Sequence, residues 1–142
     1  MKREYPEHPI VGVGAFIKKD DSVLLLKREH EPSKGEWSLP GGLVNLGERI
    51  EDAIKREVEE EVGLKVDVVS IIDVFDSIEY DGKGRVRFHY VIVGFMVEPI
   101  GGEVRGSEEA SQVRWFNVDE LKDLEMTSTT RKLLKEVNFL KD

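Results

Sequence analysis

The chain has 142 residues, 39% of them hydrophobic, enough for one domain with its own buried core. Its formal net charge is −8 and no Lys/Arg block offsets that, which argues against a long nucleic acid as partner. There is no cysteine, so disulfides and thiolate metal sites are excluded. No apolar run approaches the ~20 residues of a membrane span, and the first residues lack a signal-peptide core. The expectation is one cytoplasmic domain over residues 1–142, with no membrane partner.

In chain order, Ile10 to Lys18 and Ser22 to Arg28 are β-like runs around Lys19-Asp20-Asp21, which predicts a hairpin. Glu29 to Pro40 holds Pro32, Gly35 and Pro40, a loop with a short extended piece at Trp37-Ser38-Leu39. Pro40-Gly41-Gly42 reads as a sharp turn where backbone can approach a ligand closely. Arg49 to Val62 reads as a helix that stops at Gly63. Val66 to Ile78 and Arg85 to Val97 are long β runs around Asp81-Gly82-Lys83-Gly84, and Gln112 to Val118 is a further strand. Asp119 to Leu124 and Ser128 to Val137 close the chain as helices. This order predicts an α/β fold with a mixed sheet covered by helices.

The central helix carries the chemical signal. At about 100° per residue, Ile50, Ile54, Val58 and Val62 form an apolar stripe, with Asp52, Lys55 and Glu59 opposite. Glu57, Glu60 and Glu61 stand at i, i+3 and i+4 and share one side, with Glu57 and Glu61 at the margin of the buried stripe. Carboxylates crowded there repel one another and lose hydration unless a cation compensates. All-oxygen ligation suits Mg²⁺ or Mn²⁺. Taken alone, the cluster reads equally well as a solvated acidic helix end.

The spacing around it is more specific. Gly42, five residues, Glu48, seven residues and then Arg56-Glu57-Val58-Glu59-Glu60-Glu61-Val62-Gly63-Leu64 match the Nudix box, GX5EX7REUXEEXGU with U aliphatic, at all nine specified positions. With average residue frequencies, chance gives this on the order of once in ten million or less. Val23 to Arg28, Gly35 to Gly42, Val113-Arg114-Trp115-Phe116 and Asp119-Glu120-Leu121 also resemble Nudix hydrolases, so the likeness spans most of the chain.

That resemblance implies an α/β/α sandwich with a mixed sheet, the box forming a loop–helix–loop. It implies a pyrophosphohydrolase that uses Mg²⁺, with Mn²⁺ as a possible substitute, on a small nucleotide-type substrate. By resemblance Glu57, Glu60 and Glu61 are metal ligands, Gly41 adds a backbone carbonyl, Glu48 lies behind the ligands, and Arg56 orients a box glutamate. A loop acid before the late strand serves some relatives as base or extra ligand. Glu109 is favoured over Glu108 here, the alternative being two solvated acids.

Arg28, ending its strand, is a candidate phosphate donor as well as an ordinary surface arginine. Arg85, Arg87 and His89 share a strand face; Arg87 is the candidate substrate contact there, the other reading being an outward polar strip. Phe75, Phe88, Tyr90 and Trp115 are expected in the core, and His8 and His30 at the surface. ADP-ribose or another NDP-sugar ranks first as substrate and a (d)NTP second, although no Pro lies between Leu64 and Glu98, where ADP-ribose pyrophosphatases often carry one. A non-catalytic Nudix sensor module is the reading from another class. Family members are often homodimers, so a homodimer is a possible assembly.

Overall fold

A computed structural model describes residues 2–108 and 110–141, which form seven strands and three helices. β1 (Ile10–Lys19) and β2 (Ser22–Lys27) form the expected antiparallel hairpin, with Asp20 in the left-handed region at the turn. β3 (Trp37–Ser38) pairs with β2. β4 (Gly41–Leu43) corrects the expected turn at Pro40-Gly41-Gly42, because this segment pairs antiparallel with Gly12–Gly14 of β1. Gly41 makes the pairing possible, since a Cβ there would collide with the Val13 carbonyl.

Helix α1 (Ile50–Val62) follows, then β5 (Leu64–Tyr80), β6 (Val86–Gly102) and β7 (Val113–Asn117). α2 (Val118–Leu121) is shorter than expected and starts on a reciprocal capping box between Asn117 and Glu120. α3 (Ser128–Glu136) is capped by the Thr127 hydroxyl. β1 runs parallel to β6, and β6 antiparallel to β5. The sheet is therefore mixed. Arg28 and Arg85 fall just outside their strands, and the Arg28 amide donates to the Glu36 carbonyl across the loop.

Alternation along β1 sorts the interior into two layers. Val13, Ala15 and Ile17 join Val93, Phe95 and Val97 of β6 under Ala53, Ile54, Val58 and Val62 of α1. Phe16 faces the other way and packs with Phe75, Leu121, Leu133, Leu134 and Phe139. Helices thus cover both faces of the sheet. In β5, Val69 and Ile72 have no partner opposite in β6, so the strand bulges twice along its length. Phe75, Phe88 and Tyr90 are buried as expected, whereas Trp115 is only partly so.

Between its two ends β1 changes neighbours, pairing with β4 at Gly12–Gly14 and with β2 at Lys18–Lys19. The sheet splits at that point, and β4 carries the chain straight toward the start of α1.

Phe95 is fully buried in the layer under α1, so Phe95→Ala is expected to cost about 3–5 kcal/mol. Thermal unfolding should show a fall in Tm on the order of 10 °C; a shift under 2 °C would mean that this layer does not hold the helix.

Candidate active site

The apolar stripe of α1 is buried as its periodicity requires, with Ala53, Ile54, Val58 and Val62 inaccessible and Ile50 partly so. Asp52, Lys55 and Glu59 are exposed. The helix ends at Gly63 with φ 82°, and the freed Val62 carbonyl accepts from the Arg105 amide at 2.9 Å. A side chain at Gly63 would strike the Glu103 carbonyl. Helix phase and a fixed C-terminus together place Glu57 and Glu61 at the sheet margin.

Both glutamates turn toward β4. The Glu61 carboxylate accepts from the Gly41 amide at 2.8 Å. The Glu57 carboxylate lies against Gly42 so closely that a Cβ there would overlap it. Gly41 and Gly42 thus serve one purpose each, the first admitting β1 and the second admitting a carboxylate. Glu60 points away, its side chain 61% exposed against 15% for Glu57.

Arg56 ties these groups together. Its Nη1 donates to Glu57 at 2.5 Å and to Glu60 at 3.2 Å. Its Nε and Nη2 grip Glu48 in a bidentate pair at 2.8 and 2.9 Å, and Nη2 also donates to the Leu43 carbonyl at 2.9 Å. Glu48 in turn accepts from the Asn45 amide at 3.0 Å. The Arg56 hydrogen bonds, and then the Asn45 amide, hold the Glu48 carboxyl down to about 2. Glu48 and then Glu57 raise the Arg56 guanidinium above its ordinary range.

The resemblance to the Nudix box implies a divalent cation, and the donor set can be tested for one. Among the described residues no three acidic or histidine side chains converge as a ready cage, because Glu60 is drawn to Arg56 while Glu57 and Glu61 lie on the glycines. The chemistry nevertheless fits. Three carboxylates leave one helix edge beside backbone that lacks side chains, an all-oxygen environment open on the Glu60 side. Glu57, Glu60 and Glu61 are the residues that can hold such an ion.

Other candidates are dispersed. Glu109 lies outside the described residues. Glu108 is exposed, in a loop closed by paired backbone bonds between Ser107 and Ala110. The Ser107 hydroxyl oxygen in that loop is buried and has no hydrogen-bond partner among the described residues. Arg28 donates to the Pro32 carbonyl at 2.6 Å. Its charge and that of Arg3 reach Tyr90, whose phenol burial pushes up. Arg87 pairs with Glu4 at 2.8 Å, with Glu79 at 4.0 Å, and sits over Phe88. His8 and His30 are at the surface.

Sequence reasoning missed the support behind β4. Thr130, 1% exposed, accepts from the Leu39 amide at 3.2 Å, and Trp37 exchanges backbone bonds with Glu125 and Thr127. The Thr127-x-x-Thr130 pattern signals a helix start, but nothing in it points to a partner 91 residues earlier.

A helix edge of acids aimed at a glycine pair thus lies within an α/β/α sandwich. The NUDIX domain profile matches residues 8–137. The chain is 38% identical over 117 residues to an ADP-ribose pyrophosphatase of Methanocaldococcus jannaschii, covering 82% of this chain and 67% of that one. A MutT-like protein of Streptomyces ambofaciens is 32% identical, with 83% and 70% covered. The crystal structure of a MutT NUDIX hydrolase from Burkholderia pseudomallei superposes with a TM-score of 0.82 at 36% identity, covering 92% of this chain and 99% of that one. The chain belongs to the NUDIX family. It is an enzyme of that family's pyrophosphatase class, acting on phosphorus-containing anhydrides in small nucleotide substrates.

The grip on Glu48 has a pH signature. Its folded-state carboxyl titrates below the unfolded value of 4.5, so its stabilising effect is complete above that pH and drains away as pH falls toward about 2. Urea midpoints measured from pH 6 to pH 2.5 should fall less steeply in Glu48→Gln than in the wild type. Parallel acid limbs would show that Arg56 does not hold Glu48 in the folded state.

Proposed function

We propose that the chain is a Mg²⁺-dependent hydrolase of ADP-ribose or another NDP-sugar, cutting the diphosphate between its two phosphorus atoms. The observation that carries the site assignment is the placement of Glu57 and Glu61 against the bare backbone of Gly42 and Gly41, with Arg56 behind them. The 38% identity to an ADP-ribose pyrophosphatase supports the substrate class. A (d)NTP is the second reading, favoured by the MutT-like relative and by the MutT fold match. Residues 1–142 are read as one such domain.

In this reading Glu57, Glu60, Glu61 and the Gly41 backbone hold the ion. When bound, a divalent cation neutralises charge on the diphosphate and makes a water more acidic. The chain's own residues position and orient. Arg56 and Glu48 keep the Glu57 carboxylate aimed at Gly42, so little reorganisation is needed when substrate arrives. Arg28 and Arg87 are the cationic groups proposed for the substrate's anionic end, each released from its present partner. Glu109 is proposed to take the proton from the attacking water or to join the ion's ligands. One P–O bond forms from water, the bridging P–O bond breaks, and the proton lost by the water passes to the base.

A panel of nucleotides with Mg²⁺ or Mn²⁺, with products identified by mass, tests the reading. AMP and ribose 5-phosphate from ADP-ribose is the expected result; NMP and pyrophosphate from an NTP would move the assignment to the second reading. Glu61→Gln should lower kcat by about 10²-fold or more, and full turnover in excess EDTA would remove the metal from the scheme. Glu109→Gln should lower kcat by ~10²-fold if it is the base; an unchanged value excludes it.

A further inference from the structure

The glycine pair that receives Glu57 and Glu61 is itself held from the far side of the sheet. Leu39, two residues before Gly41, is buried, and its amide donates to Thr130 Oγ1 at 3.2 Å. That oxygen also accepts from the Thr127 hydroxyl at 2.7 Å, while the Thr130 amide donates to Thr127 Oγ1 at 3.3 Å. Around this knot Trp37 donates its amide to the Glu125 carbonyl at 2.9 Å and accepts from the Thr127 amide at 3.0 Å. The Pro40 carbonyl accepts from the Ala15 amide at 2.8 Å. The segment from Trp37 to Pro40 is thus held by β2 at Trp37 and Ser38, by Glu125, Thr127 and Thr130 at Trp37 and Leu39, and by β1 at Pro40.

Fixing that segment sets where Gly41 and Gly42 lie relative to α1, because Gly41 gives its amide to Glu61 and the Glu57 carboxylate occupies the space that a Cβ on Gly42 would fill. Leu39 is the one residue in the stretch whose amide is satisfied by a side chain from the C-terminal helix. An apolar replacement would leave that buried N–H without an acceptor, and the strand would move to regain one.

We propose that Thr130 is a positioning residue for the cation site. Acting through the Leu39 amide, it holds the Gly41-Gly42 backbone where the carboxylates of Glu61 and Glu57 can close on an ion. This rests on the cation reading above and adds to it a control exerted from the opposite layer of the fold.

Mn²⁺ binding without substrate, followed by electron paramagnetic resonance or calorimetry, separates the two. Thr130→Val keeps shape but removes the acceptor, and is expected to weaken Mn²⁺ about 5- to 10-fold. Thr130→Ser restores the oxygen and should bind within twofold of the wild type. Leu140→Ala loosens the packing around the C-terminal helix without touching the Leu39 amide. It should lower Tm at least as far as Thr130→Val yet leave Mn²⁺ binding within twofold. Should Thr130→Val not fold, Thr127→Ala removes the hydroxyl that donates to Thr130 and is expected to weaken Mn²⁺ twofold to threefold. Wild-type affinity in the Thr130 or Thr127 variant overturns the proposal, as does equal weakening in Leu140→Ala. A wild-type chain that binds no Mn²⁺ defeats the cation reading itself.

Discussion

Five hydrogen bonds from one guanidinium hold the acidic edge of α1 to the loop before it. Arg56 reaches Glu57, Glu60, both oxygens of Glu48 and the Leu43 carbonyl, so one cation balances three carboxylates and ties the helix to β4. Without it those carboxylates would repel across a few ångströms. The planar fork matters as much as the charge, since a lysine could not serve partners in four directions. Everything proposed for catalysis presupposes that this edge stays where Arg56 puts it.

The site is assembled from both layers of the fold. α1 delivers the acids because its apolar stripe locks the helix phase against β1 and β6. β4 delivers backbone without side chains, because the split of the sheet lets β1 pair with it at Gly12–Gly14. The C-terminal helix contributes from the far side through Thr130. The proposed chemistry is therefore placed at the line where three elements with different packing partners meet.

Much of this was legible in the residues. Gly42, Glu48 and Arg56 through Leu64 are a motif whose spacing is set by a loop, a turn and helical periodicity, all local. The half-buried positions of Glu57 and Glu61 beside an exposed Glu59 followed from counting 100° per residue. What escaped depends on long-range geometry. Pro40-Gly41-Gly42 looked like a turn from its composition, yet Gly41's missing Cβ is what lets the chain pair with β1 from there on. The outward swing of Glu60 and the attachment of Thr130 to Leu39 are choices among hydrogen-bond partners, which no periodicity encodes. Arg87 shows the same limit, its strand face predictable and its engagement by Glu4 not.

The two bulges in β5 bear on how the molecule behaves in a crowded solution. That strand spans 17 residues and, among the described pairings, bonds to a neighbour on one edge alone. A straight ribbon of such length, with Ile71, Val74 and Ile78 exposed, would be a template for runaway stacking of identical chains. The unmatched Val69 and Ile72 break its repeat, while Asp67, Asp73, Asp76 and Glu79 add negative charge along it. An irregular, acidic rim of this kind offers a would-be amyloid partner no continuous rail to zip along.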